Sequence, residues 1–306
     1  MEKQAVRRHL ECMKPLQSEP TKTLPIYYST RMVAAPGGYS PSAAKPLQVV
    51  ASWKELGVPL EFHAPEPATV PELALAHDEH FVRAVLERRA ENGFGNRSAA
   101  VAASLPYTSG ALLSAARRVV RRGGVAIAPC SGFHHAGWAR AAGFCTFNGL
   151  MVTAAVLRAE GALRIGILDC DHHEGDGTAD IIAKLGASGW VRHFTAGRHY
   201  DAPEHAPAFF ARLPEVLRSF SDCDVVLYQA GADPHIDDPL GGWLSTAQLL
   251  ERDRLVFQTL AAEHVPVAWN LAGGYQREPD GSIPRVLQIH DNTLLACAES
   301  FLHAPG

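Results

Sequence analysis

The chain has 306 residues, 47% of them hydrophobic and 20% charged, with a formal net charge of −4 at pH 7. That length supplies a large core, in one big α/β domain or two ordinary ones, and the composition excludes wholesale disorder. The slightly acidic balance excludes the strongly basic footprint of a nucleic-acid binder, and Arg117-Arg118 with Arg121-Arg122 reads as a solvated helix face.

Residues 1–22 are polar and contain Pro15 and Pro20, which predicts a poorly ordered or surface-docked lead-in before a domain over residues 23–306. Leu24-Pro25-Ile26-Tyr27-Tyr28 reads as a first strand, residues 35–46 as a Gly-, Pro- and Ser-rich loop, and residues 46–56 as a helix. Leu73, Phe81, Val85 and Leu86 carry helical spacing over residues 72–91. Short apolar runs follow at 125–128, 165–168, 191–194, 225–228 and 267–269. They lack strict alternation, as strands buried on both faces do. Helical stretches lie near 109–122, 146–160, 177–186, 206–220, 245–264 and 284–302. Strands alternating with helices of this length predict an α/β fold: one domain, an open parallel β-sheet, helices on both faces.

In such sheets ligands bind outside the carboxyl ends of the strands. The unusual polar clusters of this chain fall there: His134-His135 after the third strand, Asp169 to Gly177 after the next, Asp233 after the 225–228 run, and Gly273-Gly274-Tyr275 after the last. In an extended segment Asp169, Asp171 and His173 share one face, while Cys170 and His172 face away. Carboxylates this close repel unless a cation neutralises them, and no Arg or Lys adjacent in sequence does so. A metal ion is the economical answer, with Asp233 as the natural third ligand beside Asp171 and His173. His134 and His135 can supply a base and an acid, with Asp169 and Asp176 available to fix their tautomers. A tyrosine after two glycines, Tyr275, can donate to a developing oxyanion. The bland alternatives are a buried salt-bridge network for the Asp/His cluster and ordinary packing for Tyr275 and the histidines.

Taken together and in this order, these clusters resemble the histone deacetylase superfamily of the arginase/deacetylase fold, from about residue 23 to 296. Pro25-Ile26-Tyr27-Tyr28-Ser29, Gly132-Phe133-His134-His135, Arg252-Asp253-Arg254-Leu255-Val256-Phe257 and Gly274-Tyr275-Gln276 look most like the class IV branch and its bacterial relatives. The resemblance implies a three-layer α/β/α sandwich and a zinc-dependent lysine deacylase. It implies Asp171, His173 and Asp233 as zinc ligands, and His134 and His135 as the general base and acid pair. Asp169 and Asp176 orient those two rings, and Tyr275 stabilises the oxyanion. Gly143 and Phe144 line the acyl-lysine channel. K+ or another monovalent cation is implied near Asp169, Asp171, His173 and Thr195-Ala196. The implied substrates are acyl-lysine proteins or peptides, or a small acylated amine.

The chain departs from the family pattern at Glu174, which stands where many members have a second histidine, and at Ser40-Pro41, where His-Pro is common. The stretch from Thr195 to Asp224 is short, which leaves one channel wall undefined. Two-manganese ureohydrolases share the fold but use Asp-x-His-x-Asp, unlike the Asp169-x-Asp171-x-His173 order here. A catalytically inactive acyl-lysine-binding module would show mutated ligands, and none is mutated. The six cysteines form no CxxC pair and read as reduced thiols. Met1–Leu10 lacks the apolar core of a signal peptide, and no run of about 18 apolar residues is visible, so a cytoplasmic protein without membrane contact is expected.

Overall fold

The computed structural model describes residues 23–302 apart from 36, 38, 39 and 163; the lead-in expected over residues 1–22 lies outside the described residues. Among the described residues seven strands form one sheet: β1 (Leu24–Tyr27), β2 (Leu60–His63), β3 (Val125–Ala128), β4 (Ile165–Asp169), β5 (Val191–Thr195), β6 (Val225–Gly231) and β7 (Val267–Ala272). All neighbours are parallel, in the order β2-β1-β3-β7-β6-β4-β5.

The strands read as continuous apolar runs because alternate residues enter two different cores. On one face Ile127, Val226, Tyr228 and Trp269 pack against α1 (Lys45–Glu55), α7 (Ala206–Ser219), α8 (Thr246–Ala262) and α9 (Pro284–Phe301). On the other face Ala126, Ile167, Leu227 and Ala268 pack against α4 (Ala99–Arg122), α5 (Gly149–Ala159) and α6 (Asp176–Leu185).

Three expectations are corrected. The stretch 72–91 is two short helices, α2 (Val70–Leu73) and α3 (Glu79–Leu86), because the Asp78 side chain accepts from the Phe81 N–H and starts a new helix. Strand β2 was not foreseen. It sits at the sheet edge, is largely exposed and carries Glu61, so it has no apolar run to betray it. Helix α4 begins at Ala99, capped by Ser98, rather than near 109, and its 24 residues are long and apolar enough to cross a membrane by length and composition. Here α4 buries Val101, Leu105, Leu112, Ala116 and Val119 in the second core.

His77 sits wholly inside this second core region. Its Nδ1–H donates to the Gly137 carbonyl at 2.9 Å, and its Nε2 accepts from the Asn148 N–H at 2.8 Å. Asn148 in turn caps α5 through Met151. Burial holds the ring neutral and pushes its pKa down to about 4 from 6.5. A histidine depressed in the folded state stabilises the fold above its unfolded pKa, and that stability is lost as pH falls from 6.5 through about 4. The loss from this ring is about 3 kcal/mol. His77→Gln has no ring to titrate, so its stability deficit against wild type narrows as pH falls from 7 to 4.5 in urea unfolding of metal-free protein. A deficit that stays constant across that range rules this account out.

Candidate active site

Strands β3 and β4 are consecutive in the chain but separated in the sheet by β7 and β6. The crevice of an open parallel sheet forms at such a reversal. The register brings the strand ends together: Asp169 lies beside Gln229 and Thr195, and Gly231 lies beside Ala272. The loops after β3, β4, β6 and β7 therefore open on one edge.

Asp171, His173 and Asp233 each present one ligand atom there, all within 4.8 Å of one another. His173 Nδ1 lies 3.2 Å from Asp171 Oδ1 and 3.1 Å from Asp233 Oδ2. Both carboxylates are buried. Hydrogen bonds to Asp171 and Asp233 raise His173 to about 11. Burial, with the Asp171 charge next, lifts Asp233 to about 7. Gly273 makes this closeness possible: its φ is 50°, and a Cβ there would collide with the Asp233 carboxylate. One imidazole nitrogen and two carboxylates in need of positive charge fit a divalent metal ion.

The expectation that no Lys or Arg balances this cluster is corrected by distant residues. Lys45, fully buried at the start of α1, donates to the Gly273 carbonyl oxygen. Burial lowers it to about 8, against the pull of Asp233, Asp171 and Asp238. The Lys45 ammonium and the raised imidazoles of His173 and His134 offset carboxylate charge in the metal-free cluster, a role that a divalent cation at Asp171, His173 and Asp233 would take over. Arg252, also buried, donates to the carbonyls of Cys170 at 3.1 Å and Gly231 at 2.7 Å and pairs with Asp253 at 2.9 Å. It fastens the ends of β4 and β6 together beside the Asp171, His173 and Asp233 cluster.

The two histidines of the β3 loop each have a carboxylate. His134 Nδ1 donates to Asp169 Oδ2 at 2.7 Å, and His135 Nδ1 donates to Asp176 Oδ1 at 2.7 Å. The ring centroids are 4.1 Å apart. Their environments push them in opposite directions. Burial opposes the charge on His134, but Asp169 and Asp171 outweigh it and raise the ring to about 9. Burial, then the neighbouring His134, lowers His135. Asp176 also accepts from Arg140 at 2.7 Å and stands in the first turn of α6, which favours its charge. Asp169 is further held by the Gln229 side-chain N–H at 3.0 Å. Thr195 Oγ1 accepts from the Gly175 N–H at 2.9 Å beside it.

Tyr275 is 7% exposed. Burial raises its hydroxyl pKa, and the next contributions come from Asp233 and Asp171. Its ring centroid lies 5.7 Å from that of Phe144, which lies 5.8 Å from Phe94. Phe144 has φ 62°, a left-handed conformation rare for an aromatic residue, held by its N–H on the Gly93 carbonyl at 3.0 Å. Gly143 precedes it against the His135 ring, where a Cβ would collide. Sequence reasoning missed Phe94, Lys45, Gln229 and Asp238. Phe94 stands between Gly93 and Gly95, a turn signal, and Asp238 lies in the polar run 237–242 that follows Asp233; Lys45 and Gln229 carry no local mark. His172, the off-face residue, accepts at Nδ1 from the Gly242 N–H at 3.3 Å. His205 pairs with Asp201 at 3.1 Å, and the His199 ring rests on Tyr200.

A family profile described as "Histone deacetylase domain" matches residues 40–191. An uncharacterised protein of Picosynechococcus sp. is 30% identical over 241 residues, covering 71% of this chain and 80% of that protein. The acetoin utilization protein AcuC of Bacillus subtilis is 26% identical over 252 residues, covering 69% of this chain and 65% of AcuC, just under two thirds of its length. Among solved structures, an acetylpolyamine aminohydrolase from Burkholderia pseudomallei superimposes with a TM-score of 0.68 over 90% of this chain and 99% of that one. At 17% identity, that likeness speaks for the arginase/deacetylase fold alone. The sheet, the matched profile and the related sequences agree, and the chain belongs to the histone deacetylase superfamily of hydrolases.

Proposed function

We propose that this protein is a zinc-dependent deacylase that removes an acetyl or longer acyl group from the lysine side-chain amide of proteins or peptides. The observation that carries the reading is the pairing of two His–Asp couples, His134–Asp169 and His135–Asp176, beside the Asp171, His173 and Asp233 cluster.

Asp171, His173 and Asp233 would hold the zinc ion. Bound zinc supplies Lewis-acid polarisation of the amide carbonyl and acidifies water. His135 is the base: Asp176 fixes the proton on Nδ1, which leaves Nε2 to accept one from the attacking water. The lowered pKa of the ring keeps it neutral for that task. The pair then returns a proton to the leaving amine, with His134 held charged by Asp169. Tyr275 would donate a hydrogen bond from its hydroxyl to the oxyanion of the tetrahedral intermediate, keeping its proton. Phe144 and Phe94 wall the path of the lysine stem, and Gly143 keeps the passage beside His135 open. A monovalent cation, K+ or similar, is proposed at Asp169, Asp171, His173 and Thr195-Ala196; Gly197 packs against the carbonyls of His172 and His173, which brings these segments together. A cytoplasmic location is proposed as well, supported by the five described cysteines, all free and buried.

The test is a panel of fluorogenic acyl-lysine peptides, from acetyl to myristoyl, alongside acetylated polyamines, with and without a chelator. The expected result is peptide deacylation that the chelator abolishes and zinc restores. Turnover of the polyamines alone would move the substrate to small acylated amines. No release from any of them in zinc-loaded protein overturns the reading.

A further inference from the structure

The turn that leads into Tyr275, Gly273-Gly274, has no side chains to hold it, and on the far side Gln276 reaches His235 Nδ1 at 3.3 Å. Gly273 and Gly274 both adopt positive φ, 50° and 84°. Two adjacent glycines are the most costly residues to order, and their freedom passes directly to the residue that follows. Something outside the turn must fix it.

Two buried groups grip it from opposite ends. Lys45 donates to the Gly273 carbonyl. Asp238, 6% exposed, accepts from the Tyr275 N–H through Oδ2 at 2.8 Å. The other oxygen of the same carboxylate accepts from the Leu240 N–H at 3.0 Å. Residues 236–242 are themselves anchored, by Ile236 N–H on the Leu244 carbonyl at 2.8 Å and Gly242 N–H on His172 at 3.3 Å. Asp238 thus joins a turn seated on His172, the neighbour of His173, to the backbone of Tyr275. The bond to Leu240 is a local turn contact that any aspartate two residues earlier makes. The bond to Tyr275 is not local and serves no turn of its own.

We propose that Asp238 is a positioning residue: through the Tyr275 N–H it sets the backbone from which the Tyr275 phenol reaches the Asp171, His173 and Asp233 centre. The proposal rests on the reading of Tyr275 as the oxyanion donor. A tyrosine displaced by about 1 Å loses roughly 100-fold in rate while substrate still binds.

The experiment compares Asp238→Ala, Asp238→Asn, Tyr275→Phe and the Tyr275→Phe/Asp238→Ala double variant. Zinc content and urea midpoint are recorded for each, so that rates refer to folded, loaded chains. Asp238→Ala is expected to lower kcat by about 10- to 100-fold with KM within about twofold. Asp238→Asn, which keeps one acceptor oxygen, falls between it and wild type. The double variant is expected to be no slower than Tyr275→Phe by more than about threefold, because the two losses are one loss. An additive double variant, or unchanged kcat per folded chain in Asp238→Ala, overturns the proposal. If Asp238→Ala does not fold, the Asn variant and its double with Tyr275→Phe decide by the same criteria. A Tyr275→Phe protein as fast as wild type sinks the oxyanion reading itself, and the role of Asp238 with it. That outcome is visible before the Asp238 variants are compared.

Discussion

Asp233→Asn will abolish turnover and zinc retention while making the metal-free protein more stable. The reason is that this carboxylate is placed for a cation and is costly without one. It is fully buried beside Asp171, and burial with that neighbouring charge lifts it to about 7. A carboxyl whose pKa is raised on folding binds more protons folded than unfolded, so metal-free stability falls as pH rises above the ordinary carboxylate range. Asparagine carries no charge and escapes that loss. The variant's advantage in urea midpoint is therefore largest above pH 7 and shrinks toward pH 4. Function moves the other way. Zinc at 100 times its dissociation constant stabilises wild type by about 2.7 kcal/mol through mass action, and a two-ligand site loses most of that. The Lewis acid is worth several kcal/mol of barrier, so kcat/KM should fall by at least about 1,000-fold. Metal analysis of purified protein, unfolding with and without zinc, and peptide deacylation read all three. A variant that keeps zinc and turnover would remove Asp233 from the ligand set. A metal-free variant less stable than wild type at pH 8 would refute the charge argument.

Loss of the base should cost nearly as much. His135→Ala is expected to lower kcat by about 10²- to 10⁴-fold with zinc content unchanged, because the ring is not a ligand. Asp176→Asn leaves the imidazole in place but offers an amide where the Nδ1–H needs an acceptor, so a loss of about 10- to 100-fold is expected. Tyr275→Phe removes only the hydroxyl, and a loss of about 10²- to 10³-fold follows if it meets the oxyanion. The order His135→Ala, then Tyr275→Phe, then Asp176→Asn is the informative part. An Asp176→Asn protein slower than His135→Ala would show that Asp176 acts on something other than this ring. A His135→Ala protein of normal kcat would transfer the base role to His134.

The parallel sheet was readable because its strands are buried on both faces. Short apolar runs leave few alternatives, and among the described residues the central strands β3, β4, β6 and β7 announced themselves this way, with β1 close behind; edge strand β5, read at 191–194, carries Arg192 and His193 and is only partly buried. Edge strand β2 escaped because exposure removes the pressure for apolar residues. The break between α2 and α3 escaped because one capping aspartate, Asp78, outweighed a helical pattern that continued past it.

The candidate site divides along the same line. The couples His134–Asp169 and His135–Asp176, and the Asp171, His173 and Asp233 cluster, were named from the sequence because each lies at a strand end in a short, chemically odd run. Their side-chain types have few other reasons to gather there. Lys45, Asp238, Gln229 and Arg252 bear on the same few ångströms; the segments of Asp238 and Arg252 stood out in the sequence as a polar run and a family-like motif, but nothing in them gave these two side chains their partners, and Lys45 and Gln229 carried no mark at all. Lys45 opens α1 on one side of the sheet, and Arg252 sits mid-way along α8 in the charged run Glu251-Arg252-Asp253-Arg254, which by charge alone reads as a solvated face. A hydrogen bond to a backbone carbonyl demands only a donor at the right place, not a motif, so such partners leave no pattern in a single chain. The sequence by itself determined the fold class, the edge of the sheet where the polar clusters gather, and the candidate residues, Asp171, His173, Asp233, His134, His135 and Tyr275, that meet there. Only the tertiary structure decided which charges surround them, since burial and distance set those fields and both arise from the packing of helices far apart in the chain.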